Sequence, residues 1–145
     1  MNAASAAQIA AYLQSCDARF VPALSTRVEI AAYAQKIVDR AVRFEAWLGD
    51  ALIGLVAVYA NDPVSRIAFI TSVSVREDWT GFGVGTHLMR DCVGYAKHHG
   101  LRKISLEVAV EQRSAIRLYE KQGFSRGETN GEFLNMHLDL EDRGS

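Results

Sequence analysis

The order of apolar and polar positions changes character about forty residues into the chain. Before that point the pattern is helical. "SAAQIAAYLQSC" is built from good helix formers, and in "STRVEIAAYAQKIVDRA" the residues Val28, Ile30, Ala31, Ala34, Ile37 and Val38 fall near helical spacing. Ser25 or Thr26 is placed to cap the second helix, with Glu29 near its positive end. From Val42 the period drops to two. "VRFEAWLG" alternates Val42, Phe44, Ala46 and Leu48 with other residues, Gly49-Asp50 reads as a hairpin turn, and "ALIGLVAVYA" is apolar on both faces, as a central strand is. Asn61-Asp62-Pro63 ends that strand, because proline has no N–H to give to a ladder. "RIAFITSVSV" then sets Ile67, Phe69, Thr71, Val73 and Val75 against Ala68, Ile70, Ser72 and Ser74, which predicts a strand with one large apolar face and one small, partly polar face.

The second half returns to helical spacing. Val84, Leu88, Met89, Cys92, Val93, Tyr95 and Ala96 form a stripe from Val84 to His98, with Gly100 as its stop. "KISLEVAV" is a strand with Ile104, Leu106, Val108 and Val110 on one side and Ser105, Glu107 and Ala109 on the other. "RSAIRLYEKQ" is a short helix ended by Gly123, and "FLNMHLDL" is a last strand. The order predicts a mixed α/β (α+β) sheet, antiparallel in its first part, with a right-handed crossover between the strand before Asp78 and the one at Lys103.

Composition narrows what this sheet can serve. A chain of 145 residues, 49% hydrophobic and without repeats or linkers, predicts a single domain over residues 1–145. Sixteen Lys and Arg stand against seventeen Asp and Glu, a net charge of −1, so no cationic field exists to hold nucleic acid or an anionic membrane. Any anion must be bound locally. Cys16 and Cys92 make neither a disulfide framework nor a metal cluster, and His87, His98, His99 and His137 have no metal spacing, so no metal is expected. No apolar run approaches the roughly 20 residues that span a bilayer, which leads to the expectation of a cytoplasmic protein.

The candidate chemistry begins at "DWTGFGVGTHLM", where Gly81, Gly83 and Gly85 alternate just before a helix. A helix opening from such a loop presents unpaired N–H groups and the positive end of its dipole, a natural phosphate site. A structural turn is the plainer reading. The spacing fits neither a dinucleotide fingerprint, which wants glycine at Thr86, nor a P-loop, whose lysine is missing.

"VSVREDWTGFGVGTHLM" resembles motif A of the GNAT superfamily of N-acetyltransferases, Q/R-x-x-G-x-G/A, with Gly83 and Gly85 at the small positions and Thr80 where glutamine or arginine is usual. "LEVAVEQRSAIRLYEKQGF" is similar to motif B of the same family, with Gln112 at an asparagine position and Ala115, Ile116, Leu118, Tyr119, Glu120, Lys121, Gly123 and Phe124 matching directly. The resemblance covers roughly Phe44 to Phe124. It implies the GNAT fold, a mostly antiparallel sheet of six to seven strands splayed at the cofactor groove and flanked by about four helices. It implies acetyl coenzyme A as cosubstrate, its pyrophosphate held by amides of the loop Thr80, Gly81, Phe82, Gly83, Val84, Gly85 and Thr86, with Gln112 and Tyr119 nearby. Val73 and Val75 are implied to bond the pantetheine arm through their backbone.

Acetyl transfer needs a neutral amine, a stabilised oxyanion and a proton for the leaving thiolate. The resemblance assigns that last proton to Tyr119, for which a core tyrosine is the alternative reading, and base catalysis to Glu107, for which a solvated strand carboxylate is the alternative. Glu45 and Ser72 are further candidates for orienting the acceptor. The implied acceptor is a small amine or amino sugar, the amino end of a protein or peptide being the second choice. A non-catalytic acyl coenzyme A sensor is a third reading, from another functional class. Many members of the family pair as homodimers, an arrangement open to this chain as well.

Overall fold

The computed structural model describes residues 3–17, 20, 23–62 and 64–140. Helices α1 (Ala6–Ser15) and α2 (Ile30–Arg40) lead into strands β1 (Val42–Leu48), β2 (Ala51–Tyr59) and β3 (Ile67–Val75). There follow α3 (Val84–His98), β4 (Lys103–Ala109), α4 (Arg113–Lys121), β5 (Ser125–Asn130) and β6 (Phe133–Asp139). The six strands form one sheet in the order β1-β2-β3-β4-β6-β5, antiparallel except for the β3–β4 pair. A parallel neighbour requires a crossover, and α3 supplies it.

Helix ends follow local chemistry. Ser5 caps α1 in a reciprocal box with Gln8: Gln8 N–H donates to Ser5 Oγ at 3.1 Å, and Ser5 N–H to Gln8 Oε1 at 2.8 Å. The cap of α2 is Glu29, which accepts from Ala31 and Ala32 N–H, rather than Ser25 or Thr26. Ser25 is instead bonded to Asp17, and Thr26 closes a short 3₁₀ turn on Ala23 O. Asp62 stops β2 by accepting from Val64 and Ser65 N–H, while Pro63, expected to end that strand, lies outside the described residues. Strand β5, "SRGETN", has no apolar residue and is exposed along its length, so hydrophobic patterning alone does not reveal it.

Two cores cover the two faces of the sheet. On one, α3 and α4 pack Leu88, Met89, Cys92, Ile116 and Tyr119 onto Val56, Val58, Ile70, Ile104, Leu106 and Met136. On the other, α1 and α2 pack Ile9, Leu13, Ala34 and Ile37 onto Leu52, Leu55 and Ala57. Both cysteines are buried, and burial pushes the Cys92 thiol up to about 12.

Gly54, in the middle of β2, is where α3 comes closest. A Cβ there would sit 2.8 Å from Val84 Cγ1 and 3.1 Å from Leu88 Cδ1. Gly54→Ala is therefore expected to lose about 1–3 kcal/mol of stability through overpacking, read as a lower denaturation midpoint. Because Val84 is the first residue of α3, the same variant should displace that helix's N-terminus.

The strict alternation expected of β3 is broken. Ala57 faces Ser72 but Val58 faces Ile70, so Thr71 is an extra residue, a β-bulge. The bulge puts Ala68 and Ile70 on the same face as Val73 and Val75, and turns Ser72 and Ser74 to the α1–α2 face beside Ala57 and Leu55. It also marks where the sheet opens. β3 pairs with β4 only from Ile67 to Phe69, after which β3 stays with β2 and β4 with β6. Tyr33 of α2 holds the bulge: its hydroxyl donates to Thr71 O at 2.7 Å and bonds Thr71 Oγ1 at 2.7 Å. Tyr12 of α1 reaches the same strand, its hydroxyl 3.0 Å from Ser74 Oγ.

Candidate active site

Each side of the opening carries a cavity. The first, about 680 Å³, is walled by β3, the glycine loop and one face of α4. A 3₁₀ turn at Glu77–Trp79 leads into the loop, and Thr80 Oγ1 donates back to Glu77 O at 2.9 Å. Gly81 and Gly83 then take φ of +86° and +81°, the left-handed region that glycine enters without strain. Among the described residues nothing lies within 4 Å of where their Cβ atoms would be, so conformation, not crowding, requires glycine at these two positions. Gly83 caps α3 without a side chain, and the first helical bond is His87 N–H to Gly83 O at 3.0 Å. The amides of Val84, Gly85 and Thr86 stand before that bond, at the positive end of a fifteen-residue helix. Gly85 has a different reason to be small. A Cβ there would project between Leu118 Cδ2 and Val75 Cγ2, at 3.5 and 3.6 Å, into the space between α4 and β3.

Val73 and Val75 present backbone to the opening. Arg76 N–H donates to Ile53 O on β2, and alternation along the strand turns the N–H and C=O groups of Val75 and Val73 the other way, toward the missing β4 partner. Thr80, Gly81, Gly83, Val84, Gly85, Thr86, Gln112 and Tyr119 line the same cavity. Phe82 does not: its side chain is 71% exposed and leans on Trp79, ring centroids 5.5 Å apart. Trp79, Ser114, Ala115 and Leu118 join the lining, the last two being apolar positions of the motif B helix that pattern alone assigns to the core.

The second cavity, about 250 Å³, lies on the α2 side of the opening and shares Phe20, Val73, Gln112 and Tyr119 with the first. Tyr119 is 6% exposed and its ring packs 6.1 Å from that of Phe124. Among the described residues no hydrogen bond reaches its hydroxyl, and burial raises its pKa well above that of an ordinary phenol, so the group keeps its proton. Glu107 projects from β4 on the face opposite Ile104, Leu106 and Val108, is exposed, and lines this cavity with Ser72, whose Oγ is buried and makes no hydrogen bond among the described residues.

Glu45 belongs to neither cavity. Its carboxylate is buried on β1, where Oε1 accepts from Ala3 N–H at 2.8 Å and Trp47 Nε1 at 3.1 Å, and Oε2 pairs with Arg43 at 3.2 Å. With Ala4 N–H also 3.4 Å from both oxygens, the carboxylate ties Ala3 and Ala4 to β1 instead of facing either cavity. Arg27, on the turn before α2, and Tyr33, on α2, also line the second cavity. No sequence signal marks them: Arg27 stands among other polar residues, and cavity-lining and core positions on α2 share the same spacing. Among the described residues no three His, Cys, Asp or Glu side chains group as metal ligands.

The sequence model of the acetyltransferase (GNAT) family matches residues 9–124, from within α1 to just past the end of α4. The chain belongs to that family. Among relatives, an uncharacterized N-acetyltransferase of Methanocaldococcus jannaschii is 37% identical over 77 residues, 53% of this GNAT chain. That segment spans 34%, about a third, of the relative's length. The crystal structure of the ribosomal-protein-S18-alanine N-acetyltransferase from Escherichia coli superimposes with a TM-score of 0.71 at 19% identity, over 91% of this chain and 90% of that one. The PaiA N-acetyltransferase from Thermoplasma acidophilum, solved in complex with coenzyme A, gives 0.74 at 14% identity, over 94% and 95%. At such identities the two structures show the GNAT fold alone, and they share it with this chain.

Proposed function

We propose that the chain transfers an acetyl group from acetyl coenzyme A to a primary amine by direct attack within a ternary complex, the acceptor being a small amine or amino sugar. The observation that carries this reading is the meeting of two cavities at Val73, Gln112 and Tyr119, where β3 leaves β4. The larger cavity suits the coenzyme on three counts: uncapped amides at the start of α3 for its diphosphate, a missing Cβ at Gly85, and the outward backbone of Val73 and Val75 for an extended amide-bearing arm. When bound, the coenzyme supplies an acetyl group activated as a thioester. The Val73 N–H, facing the opening, is positioned to polarise an acyl oxygen. The Glu107 carboxylate takes the proton that the acceptor ammonium must lose, directly or through water, and the Tyr119 hydroxyl gives a proton on the sulfur side.

The smaller cavity supports a small acceptor, since it falls below the roughly 300–1,000 Å³ of sites for drug-sized ligands. A protein or peptide amino end is the second reading, favoured by the Glu107-to-Tyr119 motif and by the likeness of fold to an enzyme named for acetylating an alanine of ribosomal protein S18. Titration with coenzyme A followed by melting temperature, together with thiol release from acetyl coenzyme A in the presence of amino sugars, amino acids and peptides, tests the proposal. The expected result is stabilisation by the coenzyme and thiol release with one acceptor class. No stabilisation at millimolar coenzyme and no release with any class would overturn it.

A further inference from the structure

The smaller cavity holds two charged side chains among the described residues that line it, Arg27 and Glu107, and they do not pair with each other or with any other described ionic group. The Arg27 guanidinium carbon lies 5.7 Å from the ring centroid of Phe133, in the range of a cation–π contact. Tyr33 and Phe133 line the same chamber, and while burial raises the pKa of the Tyr33 phenol, the Arg27 charge is near enough to favour its ionised form, a smaller effect. An aromatic face engages a guanidinium through the flat of its plane and leaves the fork of N–H donors free. Phe133 faces Ala109, two residues along β4 from Glu107. Two strand residues span about 7 Å. A cation and a carboxylate thus stand a short distance apart in one small chamber.

We propose that this chamber takes an acceptor amine bearing an anionic oxygen group, a carboxylate or a phosphate, and that Arg27 selects it. The inference rests on reading the cavity as the acceptor site of acetyl transfer. The amine faces Glu107 and the anionic end meets the Arg27 fork, the bidentate geometry that carboxylates and phosphates share. A neutral amino sugar leaves that fork without a partner at the cavity wall, so it is the poorer acceptor.

The test compares wild type, Arg27→Gln and Arg27→Lys on acceptor pairs that differ only in the anion: amino acids against their carboxamides, and glucosamine 6-phosphate against glucosamine. Arg27 is exposed on a turn, and the melting temperature of each free variant checks that the fold survives. In wild type, one charged acceptor should exceed its neutral counterpart by roughly tenfold or more in kcat/KM. Arg27→Gln should shrink that ratio to about twofold through KM rather than kcat, with Arg27→Lys retaining part of it. Which pair shows the preference identifies carboxylate or phosphate. Equal use of neutral and charged acceptors, or a ratio that Arg27→Gln leaves intact, overturns the inference while acetyl transfer stands. If no acceptor is turned over, melting temperatures of the protein loaded with coenzyme A decide. Stabilisation by the charged member alone, lost in Arg27→Gln, supports the anion site although the transfer reading fails, and equal or absent stabilisation overturns it.

Discussion

Tyr119→Phe is expected to lower acetyl transfer by about two to four orders of magnitude, the usual weight of a positioned proton donor, and to change coenzyme affinity by no more than a few-fold. The side chain is buried on α4 and packs with Phe124, contacts that phenylalanine keeps. Its hydroxyl has no hydrogen-bond partner among the described residues, so removal leaves no protein donor or acceptor orphaned, and the variant should melt within a few degrees of wild type. Loss of rate would then be loss of chemistry and not of fold. The direction of the pKa shift adds a second readout. A phenol raised by burial stays protonated through neutral and mildly alkaline pH, so no alkaline limb attributable to Tyr119 should appear in the wild-type profile there. Single-turnover rates and coenzyme titrations of the two proteins check both points. A loss of less than about threefold would place the proton elsewhere.

The candidate site of this molecule is legible in the sequence to an uneven degree. The glycine loop and the α4 pattern carry enough residue-specific chemistry to identify a GNAT chain, and the stripe Val84 to His98 coincides with α3 because one apolar face fixes a long helix. What escapes pattern is whatever depends on a single residue of register. Thr71 looks like any other position of an alternating strand, yet as a bulge it reverses which residues share a face and opens the sheet. Its support comes from Tyr33, 38 residues earlier, a contact that no local period encodes. Glu45 fails for a related reason. From sequence it is a polar residue on a half-polar strand, and only the arrival of Ala3 and Ala4 at its carboxylate turns it into a buried tie. Strand β5 escapes because edge pairing with β6, not burial, defines it.

Gly83→Val should weaken coenzyme binding by about a hundredfold or more, the equivalent of losing two charge-assisted hydrogen bonds of roughly 1.5 kcal/mol each. Gly83 sits at φ +81° as the cap of α3. An L-residue in that region is strained by about 1–2 kcal/mol, and a β-branched one is the least tolerant. The loop relieves the strain by rotating, and rotation turns the amides of Val84, Gly85 and Thr86 away from a common focus. Crowding is not the cause, because no described residue lies within 4 Å of the added Cβ. Gly83→Asn supplies the discriminating comparison: asparagine is larger than alanine but visits the left-handed region readily, so it should bind coenzyme within a few-fold of wild type. Gly85→Ala separates the second physical reason for a glycine. Its position is helical and its Cβ meets only ordinary contacts, so the fold should gain up to about 1 kcal/mol while the groove between Leu118 and Val75 narrows and affinity falls. Calorimetric titration of the three variants distinguishes the cases. Equal binding by the valine and asparagine variants would mean that backbone handedness at residue 83 does not aim the amides, and the phosphate site would have to be sought elsewhere along the opening.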